Sequence, residues 1–248
     1  MKVIHHGGKD SVTGSCHELF FGSHSSVLVD CGQFQGEAPK PLDVTFSVQS
    51  ICSLILTHAH IDHIGRIPYL LAAGFRGPIY CTAATAELVP LMLDDGLRLQ
   101  LGLSKGQRLK IIELIKKRIK VVEYGRWQRV AAKSNATSEY CYVRLNPAGH
   151  ILGSAYVEIK LPNREVAVFS GDLGPTNTPL QPDPISPKRA DYLYIESTYG
   201  NRLHEDVAQR AFRLSEIINR SLKDGGTILI PAFSVGRTQE LLFDIEQL

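Results

Sequence analysis

The sequence predicts an α/β fold, a layered sheet with helices packed against it, on three observations. Short apolar runs of strand length alternate along the chain with segments of helical spacing. One such run, Ser53 to Leu56, opens into a turn, Thr57-His58-Ala59-His60-Ile61-Asp62-His63, that carries three histidines and an aspartate. The composition, 44% hydrophobic and 21% charged over 248 residues, is that of a globular enzyme able to bury a sizeable core.

Several classes are disfavoured at once. No apolar run approaches the roughly 18 residues of a membrane span, and Met1 to Asp10 lacks the apolar stretch of a secretion signal. The 5 cysteines are odd in number and form no CxxC pair. They read as buried or idle thiols, and the expected compartment is a reducing cytoplasm. A net charge of +2 is too small to argue for any partner.

The elements follow in order. Lys2 to Ile4 and Cys16 to Phe21 read as an opening hairpin, with His5, His6 and His17 at or near its loop as hydrogen-bonded histidines. Ser26 to Val29 is a short apolar strand ending in Asp30-Cys31-Gly32, where an aspartate before glycine suits a turn. Gln33 to Ser50 reads as a polar connection with a short helical piece before the Ile51 to Leu56 strand. Ile64 to Ala73 has helical spacing with Gly74 as its cap. A strand at Pro78 to Cys81 and a helix at Ala83 to Leu93 come next.

Residues 104–133 are rich in lysine and arginine, opposed only by Glu113 and Glu123. Leu109, Ile112, Ile115 and Ile119 give this region an amphipathic helix with a basic face. That face is read first as solvated, and second as a surface for nucleic-acid phosphates. Trp127 is assigned to the core, with base stacking as the alternative.

Strands are expected at Tyr140 to Leu145 and Tyr156 to Leu161. The small-residue turn between them holds His150. A strand from Glu165 to Phe169 ends near Asp172, and a proline-rich extended connection follows. Asp191 to Ile195 is a strand ending at Glu196. Val207 to Leu222 is an amphipathic helix, and Thr227 to Ala232 a buried-type strand. Phe233 to Glu240 then opens a helix whose N-terminus suits an anion, with Ser234 and Arg237 as candidate phosphate contacts.

The cluster at 58–63 is the chemical centre. Buried imidazoles need partners, and neutral imidazole and carboxylate are good metal ligands. The spacing suggests two ions. His58 and His60 alternate along the strand end and point the same way, whereas Asp62 and His63 follow the turn and face a second ion.

His58-x-His60-x-Asp62-His63 after an apolar strand resembles the second signature motif of the metallo-β-lactamase fold. Gly65 to Leu70 resembles the β-CASP branch of that fold, nucleases that process nucleic acids. Val12 to His17 is similar to the opening loop of bacterial β-CASP proteins, and Asp30, His150 and Asp172 fall where the first, third and fourth motifs of the fold would place them. Glu196 to His204 and Phe233 to Glu240 are similar to β-CASP signatures.

The resemblance implies an αβ/βα sandwich, with residues 1–198 as the N-terminal portion of the metallo-β-lactamase domain and 199–248 as the opening of an inserted β-CASP domain. It implies two Zn²⁺ ions. His58, His60 and His150 would hold the first, Asp62 and His63 the second, and Asp172 would bridge them. Asp30 would brace the ligand loop from behind. Asp62 and Glu196 would take catalytic roles, Glu196 by orienting a histidine that protonates the leaving oxygen.

The expected activity is hydrolysis of RNA phosphodiester bonds by a hydroxide shared between the metals, on RNA that is single-stranded. A homodimer is an open expectation, and no membrane partner is implied. Relatives of this kind continue past the position of Leu248, so the sequence is read as a fragment lacking the last ligand and the proton-donating histidine. The alternatives are a small-molecule metallohydrolase (a lactamase, thioesterase or phosphodiesterase) and a non-catalytic RNA-binding scaffold.

Overall fold

The central apolar runs become strands because both of their faces are covered. In a computed structural model describing residues 1–36, 41–132, 139–203 and 209–248, β3 (Ser26–Val29) and β4 (Ile51–Ile55) are buried along their whole length. They pair in parallel, with Val29 beside Ile55, as interior strands of a doubly covered sheet do.

Around them lie β1 (Lys2–Gly7), β2 (Cys16–Phe20), β5 (Ile79–Cys81) and β6 (Ile119–Val121), in the order β1-β2-β3-β4-β5-β6. The first three strands are antiparallel and the rest parallel. The crossover from β4 to β5 runs through α1 (Ile61–Ile64) and α2 (Ile67–Ala72). That from β5 to β6 runs through α3 (Ala83–Leu101) and α4 (Lys105–Lys116).

A second sheet has the order β11-β10-β9-β8-β7, built from β7 (Gln128–Ala131), β8 (Tyr140–Pro147), β9 (Ala155–Lys160), β10 (Val166–Phe169) and β11 (Tyr192–Tyr194). Side-chain alternation sorts the layers. Leu28 and Leu54 face the helices, beside Ile64, Leu70, Val89 and Ile115. Val29 and Ile55 face the other way, beside Val143, Leu145, Val157 and Phe169 of the second sheet. The fold is thus a helical layer on one sheet and that sheet on another. All five cysteines are buried free thiols, and burial pushes Cys81 and Cys141 up to about 12. No described helix is long and apolar enough to cross a membrane.

Contacts divide the chain into residues 1–177 with 182–196, which hold both sheets, and residues 178–181 with 197–248. The second unit contains α5 (Arg210–Asp224) and α6 (Arg237–Glu246), joined by an Arg210–Asp244 ion pair of 2.9 Å.

Several expectations are corrected. The helix expected from Ile64 to Ala73 is α2, which begins at Ile67, after a separate short helix α1 that ends at Ile64. The connection before β4 has no helix among its described residues, and 37–40 lie outside them. Helix α3 runs past Leu93 and through Pro90 to Gly102, whose φ of 58° supplies the left-handed cap. Thr82 starts it by accepting from the Thr85 amide. Leu109 is exposed and Ile119 lies in β6, so Ile112 and Ile115 alone of the four carry the buried face of α4.

Trp127 is only partly buried. It is clasped by Arg144 at 4.3 Å and Lys160 at 4.6 Å, cations from β8 and β9. Thr227 to Ala232 is not a strand, and Leu229 is 86% exposed. Among the described residues it has no ladder partner, and without one a strand gains neither cross-strand packing nor cooperative pairing. His204 and the first residues of the expected 207–222 helix lie outside the described residues.

Candidate metal centre

The site is assembled at the strand ends of both sheets. Beyond β4, the Thr57 amide donates to Asp30 Oδ1 at 2.9 Å, and the Thr57 hydroxyl reaches Asp30 Oδ2 at 2.9 Å. Asp30 is fully buried and sits at φ 58°, a conformation that a non-glycine residue keeps only when its surroundings fix it. Those contacts orient two imidazoles. His63 Nδ1 lies 2.7 Å from Asp30 Oδ2, which can only accept, so Nδ1 carries a proton and Nε2 is the nitrogen turned to Asp172. The Thr57 proton is committed to Asp30, so the hydroxyl accepts from His58 Nδ1 at 3.0 Å. His58 Nε2 is then left with a lone pair.

The second sheet brings the remaining groups. The Ala155 amide donates to Thr57 O at 2.8 Å, tying the start of β9 to the end of β4. Ser154 Oγ accepts from the His150 amide at 2.9 Å and holds the turn that carries that residue. Gly149 has φ +71°, which favours glycine. Gly174, just past Asp172, crosses that turn so closely that a Cβ would lie 1.7 Å from Gly149 O. The Gly174 amide instead donates to Ala148 O at 2.8 Å.

Four donors converge as a result. His60 Nδ1 lies 3.1 Å from both His58 Nε2 and His150 Nε2. Asp172 Oδ2 lies 3.5 Å from His150 Nε2 and 3.8 Å from His58 Nε2. All four atoms fall within 4.8 Å of one another. Ligands of a tetrahedral ion bound at 2.0–2.1 Å stand about 3.3 Å apart, so the set fits a divalent metal. The other oxygen of Asp172, Oδ1, lies 3.1 Å from His63 Nε2, which is 3.8 Å from Asp62 Oδ2. One carboxylate thus faces two donor sets.

The electrostatics suit cations. Burial pushes His150 down to about 4 and His58 well below the usual histidine range, so both are neutral at pH 7 with lone pairs to give. Burial opposes charge on His63 as well, but Asp30 and Asp172 on either side overcome it and hold its pKa well above that range, so its Nε2 carries a proton that an incoming cation would displace. Burial, with Asp172 nearby, raises the Asp62 carboxyl. The opening lies beside Asp172, whose side chain is 30% exposed, while that of His58 is fully buried.

Glu196 is joined to the same loop. Its Oε1 accepts from the Leu173 amide at 2.8 Å, and its own amide donates to Ser170 Oγ at 3.0 Å. In the second unit, Gly236 caps α6. Ser234 O accepts from Gln239 Nε2 at 3.0 Å, and Arg237 pairs with Glu240 at 3.0 Å. His5 and His6 lie on β1 and His17 on β2. All three are hydrogen-bonded, His5 to His17 at 2.8 Å and His6 to Glu18 at 2.9 Å. Sequence reasoning missed Thr57 and Ser154. The available signal was a small hydroxyl residue next to each histidine-bearing turn.

A sequence model described as the metallo-beta-lactamase superfamily matches residues 18–206. The chain is 38% identical over 245 residues to ribonuclease TTHA0252 of Thermus thermophilus, a match covering 98% of this chain and 54% of that protein. It is 34% identical over 258 residues to the transcription termination factor FttA of Methanothermobacter thermautotrophicus, covering 97% and 38%. It is 27% identical over 256 residues to endoribonuclease ysh1 of Schizosaccharomyces pombe, covering 100% and 32%. The chain therefore spans 54% of the first of these relatives and 32% of the last.

Proposed function

Because the chain belongs to the metallo-β-lactamase superfamily, we propose that it carries the metal centre of a zinc-dependent ribonuclease of the β-CASP branch. The observation that carries this reading is Asp172, whose two oxygens face two separate sets of imidazole and carboxylate donors. Relatives named as ribonucleases support RNA as the substrate.

On this reading residues 1–198 contribute the metallo-β-lactamase portion and 199–248 open the β-CASP domain. His58, His60, His150 and Asp172 would hold one Zn²⁺, and Asp62, His63 and Asp172 would hold a second. The pair of ions would supply an activated water and neutralise charge on the phosphate. The protein's own groups do the positioning. Asp30 and Thr57 hold the Nδ1 atoms of His58 and His63 so that both turn Nε2 to the ions. The exposed side of Asp172 leaves an approach for a single RNA strand. Glu196, anchored to the Leu173 amide beside that approach, is assigned to orienting the proton donor for the leaving 3′ oxygen.

Zinc content and cleavage of a 5′-labelled single-stranded RNA, with a chelator control and a chromogenic lactam in parallel, test the reading. We expect two zinc ions, and chelator-sensitive RNA cleavage without lactam turnover, of a protein that carries this chain together with the last ligand and the proton-donating histidine. Lactam hydrolysis in the absence of RNA cleavage would move the function to small molecules.

A further inference from the structure

The hydrogen bonds that end at His63 extend behind Asp30. Ser15 Oγ lies 3.1 Å from Asp30 Oδ2. A carboxylate oxygen accepts, so the single proton of the Ser15 hydroxyl is committed there. His17 Nε2 lies 3.4 Å from the same hydroxyl, and the proton between them therefore sits on His17. A neutral His17 then has its lone pair on Nδ1, which faces His5 Nδ1 at 2.8 Å, and His5 supplies that proton. Every donor from His5 through His17 and Ser15 points towards Asp30. Burial pushes His17 down to about 4, in keeping with a neutral ring. The ring is fixed in place by stacking on Phe169 at 5.9 Å.

The backbone adds a second tie to the same place. The Ser15 amide donates to Asp62 O at 2.9 Å, and Ser15 O accepts from the Gly32 amide at 2.8 Å. The Cys31 amide donates to His63 O at 2.8 Å. Ser15 is thus attached by side chain and backbone to the turn that carries Asp62 and His63. Among the described residues no hydrogen bond joins it to His58, His60 or His150.

We propose that Ser15 and His17 are positioning residues that act mainly on the second ion, through Asp30 on His63 and through the backbone on Asp62. This rests on the two-ion reading above. Asp30 accepts from Thr57, His63 and Ser15, and loss of the Ser15 donor leaves it free to shift away from His63. The His58, His60 and His150 set keeps its supports in Thr57 and Ser154.

The test compares the protein with its Ser15→Ala, Ser15→Thr and His17→Phe variants. Each is stripped of metal and titrated with Zn²⁺ against a chromophoric chelator, with metal counted after dialysis and thermal melts of the stripped forms recorded alongside. Two ions bound to the unaltered protein establish the premise, and fewer would sink the two-ion reading before any variant is compared. Ser15→Ala and His17→Phe are expected to weaken one of the two ions by about 10- to 100-fold and the other by clearly less. Ser15→Thr, which keeps the hydroxyl, is expected to restore the weakened ion. Two ions bound by Ser15→Ala with unaltered affinity would overturn the proposal. So would equal weakening of both ions, or failure of Ser15→Thr to rescue while its melt is normal.

Discussion

Gly174→Ala is a sharp test of how the two loops of the metal centre are joined. An ideal Cβ at this position stands 1.7 Å from Gly149 O, 2.1 Å from Gly149 C and 2.7 Å from the His150 amide nitrogen. These are backbone atoms, so no side chain can rotate away. The loops must part by roughly 1.5 Å to reach ordinary contact, and overpacking of this kind costs about 1–3 kcal/mol. The Gly174–Ala148 hydrogen bond of 2.8 Å would go with it, adding about 1 kcal/mol. A total of about 2–4 kcal/mol lowers the melting temperature of the metal-free protein by about 5–15 °C for a unit of this size. The metal suffers more, because ligand positions tolerate only about 0.2 Å of error, and His150 is expected to drop out of its set. A thermal melt in chelator and a zinc count after dialysis read the two effects. A variant that melts within about 1 °C of the parent and keeps its full metal complement would refute the close-crossing argument.

Other perturbations separate the remaining roles. Asp172→Asn is expected to remove both ions and Asp62→Asn only the second, as counted by elemental analysis; equal losses would argue against a shared carboxylate. Thr57→Val keeps the shape but leaves the His58 Nδ1–H and Asp30 without the hydroxyl. The metal-free protein should lose about 1–3 kcal/mol, read by denaturant unfolding. Glu196→Gln can still accept from the Leu173 amide, so metal content should hold while RNA cleavage slows by about 100-fold or more; loss of metal instead would mark Glu196 as structural. For pH, burial holds His17 near 4 against the opposing pull of Asp30, with His5, His63 and His6 also lowering it. Its folded pKa lies below its unfolded value near 6.5, so it contributes stability that is present above about pH 6.5 and lost as pH falls towards about 4. His17→Gln should flatten that part of the melting-temperature profile in chelator, and an unchanged slope would count against a buried neutral ring.

Much of this architecture is legible in the sequence because burial writes itself into side-chain pattern. Ser26–Val29 and Ile51–Ile55 read as strands with no polar face because both faces are covered. The alternation of Cys141, Val143 and Leu145 with Tyr140, Tyr142 and Arg144 marks β8, whose other face holds Arg144, one of the two cations that reach Trp127. The turn bearing His58 to His63 stands out because no core needs so many imidazoles. What escaped depends on atoms brought together from distant parts of the chain. Nothing local says that Thr57 will meet Asp30, that Ser15 will lie behind both, or that Arg144 and Lys160 will close on Trp127. Helix α3 continues through Pro90 because one lost backbone bond is outweighed by the buried face of Val89, Leu93 and Leu97. Thr227 to Ala232 carries the composition of an interior strand, but pairing is a property of neighbours rather than of composition.

The donors at the strand ends come from both sheets, His58 to His63 from one and His150 and Asp172 from the other. An ion held by both sets would act as a reversible cross-link between segments far apart in the chain. A covalent link closing a loop of roughly 100 residues is worth about 4–5 kcal/mol in the chain-entropy account, and a tight ion approaches that role. Chelation would then do more than silence chemistry. It would release the fastening between the sheets and speed unfolding, so protease resistance of the first unit should track metal occupancy.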